Sequence, residues 1–208
     1  MTLACDAGDA YRHAVALAQA GLATEETGDP NDGFELLQLA QIKLFEVPRS
    51  DERREALEAW VRADSATALA HLGRPDDGRS AITAARDGWD PRALRAGDVD
   101  LVAARLALES GRYDTAEAFA ASSVRRWSGH TNRRAAVLSD ITHATVYVQA
   151  GEPRGTPLAD HAIRGVAELR SQRARVRLLP LADALAARPG SDARELARTA
   201  RKVAATRV

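Results

Sequence analysis

Apolar residues recur at three- and four-residue intervals along nearly the whole chain, and the intervals restart after glycines and prolines. That spacing is the signature of amphipathic helices rather than strands. Tyr11, Val15, Ala18 and Leu22 predict a helix over Ala10–Thr27, stopped by Gly28-Asp29-Pro30. Phe34, Leu37, Ile42 and Phe45 predict a second over Phe34–Phe45, ending before Pro48. A third, Glu52–Leu72, has Ser50 or Asp51 as its N-cap and acidic residues in its first turn, which suits the helix dipole. The remaining predictions are Pro75–Asp87, Asp98–Ser110, Tyr113–Trp127, Asn132–Ala150, Pro157–Arg170, Arg173–Ala187 and Ser191–Thr206. Gly88-Trp89-Asp90-Pro91 and Arg188-Pro189-Gly190 are the strongest breaks. No strand-like alternation bounded by turn residues occurs. The pattern therefore predicts an all-α chain of about ten helices, mostly in antiparallel pairs joined by short loops.

Three segments share one layout: Ala68–Ile82, Leu106–Phe119 and Val146–Ile163. Each runs from an apolar stretch through a glycine and a polar turn to a second apolar stretch. The glycines are Gly73, Gly111 and Gly151, 38 and 40 residues apart, with a fainter copy around Gly28. Recurrence at this period marks stacked helical repeats, whose usual product is a binding surface. We expect one repeat domain over residues 1–208, with repeats at about 10–170 and capping helices at about 173–206.

Composition agrees. Alanine supplies 44 of the 208 residues. It loses no side-chain entropy in a helix and lets helices approach closely. No apolar run is long enough for a membrane span, the first nine residues do not resemble a secretory leader, and Cys5 is the one cysteine. A cytoplasmic setting is expected. Arginine outnumbers lysine 27 to 2, the usage of a GC-rich genome. Net charge is zero but segregated. Residues 1–120 hold 13 Lys/Arg against 22 Asp/Glu, and residues 121–208 hold 16 against 7. Such asymmetry either marks an interaction surface or draws the two ends, or two copies, together.

Site chemistry is sparse. His13, His71, His130, His143 and His161 show no metal-ligand spacing, although Asp140 and His143 share a helix face. No glycine-rich phosphate loop or nucleophile elbow occurs. No cofactor, metal or catalytic residue is expected, and the chain is read as a non-enzyme. Arg164, Arg170, Arg173, Arg175 and Arg177 could meet phosphate, but stacking aromatics are missing nearby. Direct nucleic-acid binding is not expected.

The turn Gly111-Arg112-Tyr113-Asp114-Thr115-Ala116 resembles that of a tetratricopeptide repeat (TPR): a glycine, an aromatic two residues later and a small residue five later. Ala120 and Val124 then fall where the family's second helix packs on the first. Gly73 and Gly78 match partly, with Pro75 in the aromatic's place; Gly151 is followed by Thr156 and Pro157, a drifted copy. Ala66, Ala104 and Ala144 fall at the family's upstream small positions. The resemblance covers roughly residues 14–165. It implies a right-handed superhelix whose first helices line a concave groove. Carried onto this register, the groove residues are Trp60, Thr67, His71, Arg105, Glu109, Thr145 and Gln149. The implied occupant is a protein, peptide or small ligand. The clamp for chaperone tails is not matched, and with only Asn31 and Asn132 there is no asparagine ladder. Phrases such as LALESGRYDTAEAFAASSVRRW also resemble the C-terminal sensor region of actinobacterial Cro/repressor-type regulators. That implies, as an alternative, a sensor and homodimerisation region whose DNA-binding domain is not evident in this sequence.

Overall fold

Gly73, Gly111 and Gly151 each end a helix in the left-handed region, with φ of 74°, 68° and 80°. The closures are alike bond for bond. The residue after the glycine donates to the carbonyl five back: Arg74 to Leu69 at 2.8 Å, Arg112 to Ala107 at 2.9 Å, Glu152 to Tyr147 at 3.0 Å. The glycine N–H donates to the carbonyl three back in each. This paired closure satisfies helix-end carbonyls and needs a positive φ, which glycine adopts without a Cβ clash. The repeat read from the sequence is therefore a repeated hydrogen-bonded stop.

The structure is a computed structural model that describes residues 9–27, 29–87 and 96–206. Gly28, the Gly88–Pro91 break, Cys5 and Arg207 lie outside those residues. The helices are α1 (Ala10–Thr27), α2 (Pro30–Leu44), α3 (Arg53–His71), α4 (Pro75–Asp87), α5 (Ala96–Glu109), α6 (Tyr113–Trp127), α7 (Arg133–Gln149), α8 (Gly155–Ala167), α10 (Leu178–Ala187) and α11 (Ser191–Ala205), with a single turn, α9 (Gln172–Val176), before α10. Among the described residues there is no strand. The fold is all-α, with ten helices and one extra turn among the described residues.

Several boundaries differ from the periodicity, among them α5, which starts at Ala96 rather than Asp98, and α8, which ends at Ala167 rather than Arg170. α2 starts at Pro30, because Asp29 caps it by accepting from the Asn31 N–H at 2.8 Å and proline suits a first turn. α8 starts at Gly155, two residues before Pro157. The expected helix Arg173–Ala187 is interrupted at Arg177, because Pro180 has no N–H for the Val176 carbonyl and its ring crowds that position.

The chain forms two compact units, residues 1–106 and 107–208. In the first, α1 gives Ala14, Leu17, Ala18 and Leu22 to a core shared with Leu37, Ala40 and Leu44 of α2 and Leu57, Trp60, Val61 and Ala68 of α3. Its helix pairs approach at glycine. A Cβ on Gly33 would lie 2.8 Å from the Glu25 nitrogen, and one on Gly78 would lie 2.7 Å from the Ala66 carbonyl oxygen. In the second unit a Cβ on Gly155 would lie 2.8 Å from the Val148 nitrogen. Ala116 takes the corresponding place at the start of α6 and is fully buried, as are Ala66, Ala104 and Ala144. In the copy at Gly151 the close approach falls at Gly155, the first residue of α8, whereas Gly78 and Ala116 are the fourth residues of α4 and α6.

The second unit's core joins α7 to α6, α8 and α10. Ser123 of α6 and Ser139 of α7, both fully buried, share a hydrogen bond of 2.7 Å. Leu178, Leu181, Ala182 and Leu185 of α10 are sealed, and α11 lays Ala193, Ala197 and Ala200 inward. The Arg188 guanidinium donates to the carbonyls of Gly151 at 2.8 Å and Glu152 at 2.9 Å, and reaches that of Val148 at 3.4 Å. It fastens the α10–α11 hairpin to the negative end of α7.

Candidate functional site

Trp60, Thr67 and His71 are seven and four residues apart on α3, so they form one stripe along the helix. The stripe turns toward α1 and α2, since Trp60 belongs to their shared core. At its C-terminal end His71 Nδ1 lies 3.2 Å from Glu25 Oε1 on α1. The Glu25 side chain is 1% exposed and the imidazole 37% exposed, so the imidazole is the rim of this seam and the carboxylate its floor. The backbone of α1 reaches this position only because Gly33 opposes Glu25.

Among the described residues neither carboxylate oxygen of Glu25 accepts a hydrogen bond, the His71 contact being an ion-pair approach only, and the Thr67 hydroxyl, also buried, makes none. The contrast is internal to the fold. Thr83, Thr142, Thr145 and Thr199 each donate to the carbonyl four residues back, at 2.7–3.3 Å. A buried polar atom without a partner is unfavourable by about 1–3 kcal/mol. Asp64, one turn before Thr67 on the same face, is buried too. The seam is therefore rich in acceptors, with an imidazole at its edge.

The other groove residues fall elsewhere. Arg105 is half-buried on α5 in the first unit, and Glu109 is exposed at that helix's end in the second. Thr145 is buried on α7 and donates to the Ile141 carbonyl at 2.7 Å, with Gln149 exposed one turn beyond. Trp60, Thr67 and His71 thus share α3, Thr145 and Gln149 share α7, and the set divides between the units.

The second unit holds a polar cluster that sequence spacing did not suggest. The Tyr147 phenol donates to the Glu117 carboxylate, the Arg154 guanidinium sits 4.6 Å over the Tyr147 ring, and His143 meets that ring edge-on at 4.9 Å. The Glu117 hydrogen bond, then burial, push the phenol above its ordinary range. Burial pushes His143 down, partly opposed by Glu117. Asp140 faces His161 of α8 at 3.6 Å, so its partner is a histidine on a neighbouring helix; burial pushes its carboxyl up, against the His161 charge.

The basic stretch is partly structural. Arg175 is buried and donates to the Val203 carbonyl at 2.6 Å, and Arg164 pairs with Asp160 at 2.8 Å. Among the described residues no group of three or more His, Cys, Asp or Glu side chains could hold a metal ion. No helix of the described residues is long and apolar enough to cross a membrane. No protein-family model matches the chain, and no curated protein sequence matches it.

Proposed function

We propose that this chain is a TPR-like interaction module, cytoplasmic and regulatory, that binds a protein, peptide or small ligand without transforming it. The observation that carries the reading is the α1–α3 seam, where the Glu25 carboxylate and the Thr67 hydroxyl keep unused hydrogen-bonding capacity beside the half-exposed His71. A donor group on the bound molecule, such as an amine, guanidinium or hydroxyl, would enter at His71 and satisfy these acceptors. The glycine-closed helix pairs support the TPR-like part of the reading, because they repeat one rigid unit on which such a face can be displayed.

The test is affinity capture from native cytoplasm with mass spectrometry of both proteins and small molecules, followed by calorimetry on the captured partner. His71→Ala and Glu25→Gln should each weaken binding about tenfold or more, the effect of leaving one polar contact unmade. Unchanged affinity in both folded variants would remove the seam from the proposal.

A further inference from the structure

α2 and its C-cap Phe45 carry an apolar stripe on the outer side. Leu39, Ile42 and Phe45 are 49%, 59% and 78% exposed. Helical spacing sets Leu39 and Ile42 opposite Leu37, Ala40 and Leu44, which enter the core. Single exposed apolar residues are ordinary, whereas three on one face mark an interaction surface. Asp32, Glu35 and Glu46 are exposed around them, and Lys43 is tied to Glu46 at 2.7 Å. The stripe thus has an acidic frame.

Two stripes meeting face to face would bring like charges together, which opposes a symmetric pairing. The unlike surface is on the same chain. Residues 107–208 hold 17 Lys/Arg against 10 Asp/Glu, while residues 1–106 hold 12 against 19. Within the basic unit, Leu179 at the start of α10 is 44% exposed. Arg170, exposed, and Arg177, half-buried, precede it closely in the chain. Leu179 thus follows a basic segment of the chain, Arg164–Arg177, that holds five arginines and one carboxylate, Glu168.

We propose that copies of this chain associate head to tail, the α2 stripe of one copy docking on the Arg170–Leu179 end of the next. Such a contact joins two different surfaces, so each copy keeps one of each free, and the product is a ring or an open chain. The acidic frame and the basic segment fix the orientation and make the association salt-sensitive. This inference uses a surface separate from the α1–α3 seam and stands or falls independently of it.

Sedimentation velocity across the micromolar range tests it, with circular dichroism to confirm folding. The wild-type chain should grow in mass with concentration, and its association should weaken about tenfold or more from low to high salt. Ile42→Glu and Leu179→Glu should each be monomeric alone. Mixed in equal amounts they should form a heterodimer and nothing larger, since each supplies the face the other lacks. A wild-type chain that stays monomeric, a Leu179→Glu variant that still self-associates, or a mixture that stays monomeric would each overturn the proposal.

Discussion

Glycine serves two different physical needs in this chain, and substitution separates them. At Gly73 the need is conformational: φ is 74° and no atom lies within reach of an added Cβ. At Gly78 the need is space, with the Ala66 carbonyl oxygen 2.7 Å from where a Cβ would stand. Gly73→Ala should therefore lower unfolding free energy by about 1–2 kcal/mol, the left-handed penalty for an L-residue. Gly73→Asn should recover part of it, since asparagine tolerates that region. Gly78→Ala should lower it by about 1–3 kcal/mol through overpacking, with no recovery by asparagine. Urea unfolding of the four variants, Gly78→Asn included, checks this. At His143 the prediction concerns pH. Burial depresses its folded value below 6.5, so the unfolded chain binds more protons there. Stability should fall as pH drops through 6.5 toward the depressed value, and His143→Gln should flatten that fall. Asp140 works the other way. Its folded value is raised above 3.8, so its charged form opposes folding and the folded state gains as acid neutralises it.

Between the helices, the informative contacts are those that bind one element to the end of another. Arg188 satisfies terminal carbonyls of α7 from the loop between α10 and α11. Arg188→Ala should lower stability by about 1.5–3 kcal/mol, the range for hydrogen bonds to a charged group. Arg188→Lys should recover only part, because an ammonium lacks the planar fork. Hydrogen exchange should show α10 and α11 losing protection before α7. Helix existence was legible in the sequence because Gly73, Gly111 and Gly151 each follow an apolar stretch, and a glycine stop is a local signal. The start of α2 and the interruption at Arg177 were less so, since Pro30 and Pro180 each admit more than one local reading. At the candidate site, register put Trp60, Thr67 and His71 on one stripe of α3 but did not show that Trp60 and Thr67 would be buried there. Glu25 was not legible, because it reaches His71 across 46 residues of sequence through a close approach that Gly33 permits. The Tyr147–Glu117 bond was hidden for the same reason: it joins helices 30 residues apart. Periodicity reports which face of a helix is buried, not which residue of another helix meets it.

Over the whole molecule the balance of charge is neutral and its distribution is not. With a sequence pI near 7.0, repulsion between copies is least near neutral pH, while opposite charge on the two units is retained there. Osmotic second virial coefficients should therefore be most negative near pH 7 at low salt, and rise toward zero both with added salt and at either side of neutrality. Values independent of salt at pH 7 would show that charge segregation has no role in solution behaviour.

The three identical helix stops make the polar turn a ruler. From Gly73 to Pro75 and from Gly111 to Tyr113, the first residues of α4 and α6, it measures two residues; from Gly151 to Gly155, the first residue of α8, it measures four. Turns of equal length are interchangeable parts: the Gly111–Ala116 stretch could be spliced in place of Gly73–Gly78 without altering where the next helix begins. The Gly151–Gly155 stretch is an odd gauge. Spliced into either of the others, it would start the following helix two residues later and displace the small residue that now sits in its first turn. The drift that made the last copy look degenerate thus marks it as the one hairpin of the three that recombination could not exchange freely.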